Sequence, residues 1–254
     1  MNGETISRND KINRWGLVGT LVWGIIIITV FILVQLVATG FYIGINYGEV
    51  SSSEQKQLLI DLQNNGAVLS LCTFVAAIIC SILIFGIIKL MPGSDIRAYL
   101  GFNNVELKKY FYWLFILVIF IVLSDLLTTV LGRPVVPEFM FSVYTSIDNV
   151  WILCLAIIIA APFFEELFFR GFLFSGLSET SMGTQGTVFF TSLLWAGIHF
   201  QYDYYDLFII LLIGLILGTA RLKTGSVILT IVMHAFINLV AIIETMIYVS
   251  LPQA

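Results

Sequence analysis

The chain has 254 residues, of which 59% are apolar and only 11% charged, with a mean hydropathy of +1.00 and a formal net charge of −4. Soluble domains lie near 45–50% apolar and about 25% charged, so this composition excludes a soluble globular domain and indicates a polytopic membrane protein. The acidic balance, with no basic run longer than Lys108-Lys109, argues against a nucleic-acid partner.

Residues 1–14 are polar and precede an apolar run from Trp15 to Ile45. That run is too long for the h-region of a cleavable signal and reads as a retained first span. Further apolar stretches follow at Ala67–Met91, Phe111–Leu131, Val150–Leu177, Thr187–Phe200, Leu207–Leu222 and Val227–Leu251. A helix perpendicular to the bilayer needs about 20 residues. The expectation is therefore an all-α polytopic bundle of seven spans, within a range of six to eight, around a polar intramembrane cavity. The fifth and sixth stretches are short, which suits helices buried among others or only partly spanning. Cys72, Cys80 and Cys154 fall inside apolar stretches without metal-type CxxC spacing and read as small core hydrophobes.

Seven spans with a cytoplasmic N-terminus leave nine basic residues inside: Arg8, Lys11, Arg14, Lys89, Arg97, Lys108, Lys109, Arg221 and Lys223. Only Lys56 and Arg133 fall outside, beside an acidic loop at Tyr202-Asp203-Tyr204-Tyr205-Asp206, while Arg170 lies within a helix. This positive-inside bias predicts an integral protein of the plasma membrane, N-terminus in and C-terminus out. Of the connectors, Glu49–Gly66 reads as an external loop. Pro92–Tyr110 reads as an amphipathic interfacial helix, because Ile96, Leu100 and Leu107 alternate with Asp95, Arg97, Glu106 and Lys108. Arg133–Asn149, with Pro134 and Pro137, divides a three-span N-terminal bundle (1–147) from a region (148–254) that holds every suspect polar residue.

Those residues are Glu165-Glu166-Leu167-Phe168-Phe169-Arg170, His199 and His234 with Asn238. Ionisable groups at membrane depth are costly and point to function. Adjacent helix positions project about 100° apart, so Glu165 and Glu166 cannot share one job. Glu166 and Arg170 stand at i and i+4 with the acid N-terminal, the favourable order for an ion pair. Glu165 is left without a local partner, available as a general base. Folding about a turn near Met182 places Glu165 and His199 at equal depth on antiparallel neighbours. His234 and Asn238 share a helix face at a similar level. A carboxylate beside a neutral imidazole can deprotonate water, and a second imidazole with a carboxamide can stabilise an oxyanion. Glu165, His199 and His234 also match the ligand set of some catalytic zinc sites, although no His-Glu-x-x-His pair lies on one helix. A divalent metal such as zinc is thus an open cofactor assignment. Asp125, Glu244 and Gln35 read as packing or interfacial groups, and Gly214-x-x-x-Gly218 as a close helix approach.

At these residues the sequence resembles the CPBP family of intramembrane proteases, also called the CAAX-protease or ABI family. Glu-Glu-x-x-x-Arg is matched at Glu165, Glu166 and Arg170, with Gly171 following. Phe-x-x-x-His is matched at His199 but with Trp195 in place of the usual Phe. His-x-x-x-Asn/Asp is matched at His234 and Asn238. The resemblance covers residues 148–242. It implies an endopeptidase acting on a membrane-associated protein or peptide. Glu165 and His199 would activate water, His234 and Asn238 would stabilise the oxyanion, and Glu166 and Arg170 would support the site. Trp195 is expected to alter pocket shape rather than chemistry. Two rivals stand beside this reading: a non-catalytic scaffold or bacteriocin-immunity protein that keeps the motifs structurally, and a proton-coupled transporter. The absence of internal repeats with broken helices weighs against the transporter.

Overall fold

The computed structural model describes residues 13–48 and 51–251. Within them the chain is all-helical: α1 Gly16–Asn46, α2 Ser52–Gln63, α3 Gly66–Lys89, α4 Ile96–Leu100, α5 Leu107–Val130, α6 Glu138–Thr145, α7 Val150–Leu177, α8 Gly183–Gly197, α9 Tyr204–Thr224 and α10 Val227–Ser250. Helices suit this composition because hydrocarbon offers no partner to a backbone N–H or C=O, so each must be satisfied within its own segment. The polar connectors supply the caps. Asn65 accepts from the Ala67 and Val68 amides at the start of α3, Asp203 from those of Tyr205 and Asp206 at α9, and Ser226 from that of Leu229 at α10. Gly225 ends α9 with φ 68°, a left-handed cap that residues with a Cβ rarely adopt.

Two sets of contacts define the ends of the bundle. At one end Asn13 donates to the Pro92 carbonyl at 2.9 Å, Arg14 pairs with Glu179, and Asn103 donates to the Gly225 carbonyl at 3.0 Å. At the other, the Gly66 amide donates to Ser146 at 2.9 Å, Arg133 pairs with Asp203, and Phe139 packs edge-on against Tyr202. The chain passes between these ends seven times. Six of the helices (α1, α3, α5, α7, α9 and α10) are long and apolar enough to cross a membrane. The seventh passage is α8, whose 15 residues extend only about 22 Å. The fifth apolar stretch is therefore a short helix packed among longer ones. Arg14, Lys89, Arg97, Lys108, Lys109, Arg221 and Lys223 belong to the first end, Lys56 and Arg133 to the second. Arg8 and Lys11, also counted toward the charge bias, lie outside the described residues.

The core runs through the whole bundle, joining Ile27 of α1, Ile84 of α3 and Leu117 of α5 to Phe168 and Phe172 of α7, Leu217 of α9 and Met233 of α10. α7 lies at its centre. Apolar side chains such as Val37 on α1 and Leu126 on α5 point outward, as expected where the solvent is hydrocarbon. Gly176 permits α1 to approach α7 closely, since a Cβ there would collide with Thr20. Asp125 and Glu244 face one another across α5 and α10. The connector 92–110 departs from expectation. It holds only the five-residue α4, whose Tyr99 and Leu100 are drawn wholly into the core, while Leu107 opens the next span. An amphipathic surface helix would leave those two side chains at an interface; instead they fill the space over α7, with Tyr99 stacked on Phe172.

The Asp203 cap carries a pH signature. The Asp206 amide, joined by the Arg133 guanidinium and the Tyr205 amide, holds its carboxyl below the usual carboxylate range. A depressed folded-state value stabilises the fold above the unfolded value, near 3.9 for Asp, and that stabilisation disappears as pH falls through the folded value. Asp203→Ala is therefore expected to lower stability by about 1 kcal/mol at neutral pH. Thermal unfolding of the detergent-solubilised protein should show the gap to wild type closing below about pH 4.

Candidate active site

α7 is not a uniform α-helix. Two π-turns interrupt it, at Ala156–Ala160 and at Leu167–Leu173, and Glu165 and Glu166 sit just before the second. Such turns occur frequently at functional sites. The two carboxylates face different surroundings. Glu166 is fully buried and accepts from Arg170 Nη1 at 2.8 Å; Arg170 is itself fully buried and donates from Nη2 to the Gly214 carbonyl at 3.1 Å. The i,i+4 ion pair expected from spacing is present. Glu166 also accepts from His234 Nδ1 at 3.0 Å, which ties α10 to the pair. The Glu165 side chain keeps 16% of its surface and makes no contact with Arg170 short enough for an ion pair.

Glu165 has a partner that sequence spacing did not reveal. The indole N–H of Trp195 donates to its Oε2 at 2.5 Å. Trp195 is almost completely buried, and its ring lies edge-on to His199 at 5.0 Å and to His234 at 5.1 Å, with the Arg170 guanidinium 4.8 Å from the ring centre. The expectation that tryptophan changes only pocket shape is corrected: it adds a hydrogen-bond donor that phenylalanine lacks. His199 Nδ1 lies 2.7 Å from the Trp195 carbonyl. A carbonyl oxygen only accepts, so Nδ1 carries the proton and Nε2 of the neutral ring presents a lone pair. The imidazole nearest Glu165 is that of His234, with Nε2 4.0 Å from Oε2. His199 is joined to Glu165 through Trp195.

Asn238 lies one turn beyond His234 and donates from Nδ2 to the Ile157 carbonyl at 2.7 Å. In the first π-turn the Ala161 amide bonds to the Ala156 carbonyl. The next bond of that series would run from residue 162 to Ile157, but residue 162 is proline and has no N–H. Asn238 takes the place of the missing donor. A carboxamide has two N–H groups, so one remains for other use. The second π-turn is served similarly: the buried Arg221 donates from Nε to the Arg170 carbonyl at 2.8 Å and from Nη2 to Leu100 and Ser175 at 3.3 Å. Arg221 is thus a buried structural donor and not merely a basic charge at the bundle's end. Gly214 and Gly218 let α9 approach α8, since Cβ atoms there would press on Ser192, Trp195 and Val188.

The donor set does not fit a metal ion. Among the described residues no group of three or more His, Cys, Asp or Glu side chains is arranged to hold one.

An integral membrane helical bundle with a carboxylate, an ion pair and two imidazoles gathered where its helices cross defines the class. Residues 147–240 match the Rce1-like family, described as "Type II CAAX prenyl endopeptidase Rce1-like", and this segment bears out the resemblance carried by the three motifs. A protein from Escherichia coli, described as "Uncharacterized 24.3 kDa protein", is 34% identical over 113 residues, which make up 43% of this chain and 52% of that protein. The chain thus spans about half the length of that relative. No solved structure matches the chain.

The ion pair yields a stability prediction. Arg170→Met leaves Glu166 buried without its guanidinium, with only His234 beside it, and should cost about 3–5 kcal/mol, whereas pairing it with Glu166→Leu should recover much of the loss, because an apolar pair carries no desolvation penalty. Denaturant unfolding of the three proteins in detergent measures both effects.

Proposed function

We propose that this chain is an intramembrane endopeptidase that hydrolyses a peptide bond of a membrane-associated protein or peptide by direct attack of water, within a catalytic core at 148–254 carried by the N-terminal bundle 1–147. The observation that carries this reading is the contrast between two neighbouring carboxylates. Glu166 is enclosed and neutralised by Arg170, while Glu165, one residue away, is free of the guanidinium and reaches the accessible side of the cluster. A purely structural ion network has no use for the second carboxylate.

In this reading Glu165 removes a proton from the attacking water and returns it to the departing amine. His199, its tautomer fixed by the Trp195 carbonyl, offers the Nε2 lone pair as a second acceptor for the same water. The His234 imidazole, held through Nδ1 by Glu166, and the remaining N–H of Asn238 stabilise the oxyanion. Glu166 and Arg170 hold α7, α9 and α10 in register. No step passes through a metal. The orientation that places the more basic end in the cytoplasm brings the N-terminus inside and the C-terminus outside, as the charge distribution supports. The family description supports a C-terminal CAAX-type peptide as the first substrate to test.

Glu165→Gln should lower kcat by about 10²–10⁴-fold while insertion and thermal stability persist, since the shape is kept and the proton acceptor is lost. His199→Ala should act in the same direction. An internally quenched farnesylated CAAX peptide, assayed with purified protein in nanodiscs, checks both variants. Unchanged turnover in Glu165→Gln overturns the assignment, and full activity after chelator treatment is the expected companion result.

A further inference from the structure

The family's second motif usually carries phenylalanine four residues before its histidine, and this chain has Trp195 there. The substitution keeps an aromatic wall and adds one N–H, which points at the Glu165 carboxylate. That bond, at 2.5 Å from a buried indole to a half-buried carboxylate, is a charge-assisted hydrogen bond of the stronger kind. Among the described residues it is the only hydrogen bond to Glu165, because the Arg170 guanidinium is directed to Glu166 and to the Gly214 carbonyl. The indole thus sets the rotamer of the carboxylate, holding Oε2 and leaving Oε1 to face the reacting water.

Trp195 acts at a second point through its main chain. α8 ends at Gly197, and the His199 amide folds back to the Ala196 carbonyl at 3.0 Å. The Trp195 carbonyl is thereby free to accept from His199 Nδ1 instead of from the backbone. One residue holds both groups placed around the water: its side chain orients the base, and its carbonyl selects the tautomer of the imidazole. Its own position is over-determined. The face of the indole lies against Arg170 and its six-membered ring against Gly214, where a Cβ would stand 3.1 Å from Cε3.

We propose that Trp195 is a positioning residue of this site, one that couples Glu165 and His199 and makes the indole N–H a requirement for turnover in this chain. The proposal rests on the endopeptidase reading above. Trp195→Phe, the residue usual in the family, removes the donor and retains the wall. Replacement of Trp195 by the isostere 3-benzothienylalanine removes the N–H with the ring shape intact, which guards against a packing artefact. With the farnesylated CAAX peptide in nanodiscs, both variants should lose kcat by about 10- to 100-fold, the range expected when a hydrogen bond to a charged group is deleted, with KM within about twofold of wild type. In ¹⁵N-indole-labelled protein the Trp195 N–H resonance should move upfield in Glu165→Gln. Wild-type turnover in either variant, or a loss confined to KM, overturns the positioning role. An indole resonance insensitive to Glu165→Gln overturns the contact itself. A wild-type protein that does not cleave refutes the enzymatic reading and the positioning role with it, and the indole shift still reports separately whether Trp195 holds Glu165.

Discussion

A guanidinium and a carboxylate placed in the apolar middle of a helical bundle must satisfy one another and then find partners for what remains. The Glu166–Arg170 pair draws in other helices, and only Glu166 Oε2 and Arg170 Nε of its polar atoms are left without a hydrogen bond among the described residues. Arg170 reaches the Gly214 carbonyl on α9, Glu166 accepts from His234 on α10, and the guanidinium lies against Trp195 on α8. Each partner comes from a different element, so one ion pair on α7 fixes the mutual placement of four helices. Hydrophobic packing alone cannot supply that register in a bilayer, where lipid tails are as apolar as the side chains. The pair specifies where the helices cross, and it is there that the remaining polar groups gather.

That arrangement explains why two adjacent glutamates are needed. Successive residues on a helix diverge by about 100°, so a single carboxylate could face the ion pair or the accessible side but not both. Glu166 takes the first direction and Glu165 the second. Glu166 neutralises Arg170 and so removes a charge that would otherwise compete for Glu165, leaving it to the indole of Trp195 and to the imidazoles.

What was legible in the sequence was what depends on local geometry. The Glu166–Arg170 contact follows from i,i+4 spacing, and the short α8 from the short apolar run at 187–200. One tryptophan touches both Glu165 on α7 and His199 just past the end of α8. The contacts that sequence did not reveal are those that cross between elements or depend on departures from the α-helix. Hydropathy records Trp195 as one more aromatic, and only the approach of α8 to α7 turns its N–H into a partner for Glu165. The connector 92–110 has an amphipathic pattern, but Tyr99 and Leu100 find a protein core to enter before they find an interface.

The π-turns show why Asn238 could not be assigned from spacing alone. A π-turn widens the helix and shifts its hydrogen-bond series by one residue, so carbonyls near it lose their normal donors. Pro162 adds to this in the first turn by having no N–H to give. The deficit is met from outside, by Asn238 at Ile157 and by Arg221 at the Arg170 carbonyl. An unsatisfied carbonyl in hydrocarbon costs several kcal/mol, so these side chains make the π-geometry tenable on either side of the glutamates. Asn238 is one turn from His234 on the same helix, so the bond that satisfies Ile157 also anchors the helix that carries the imidazole to the one that carries both carboxylates. A positional link of this kind and an oxyanion contact draw on different N–H groups of one carboxamide, and so a single asparagine can serve both.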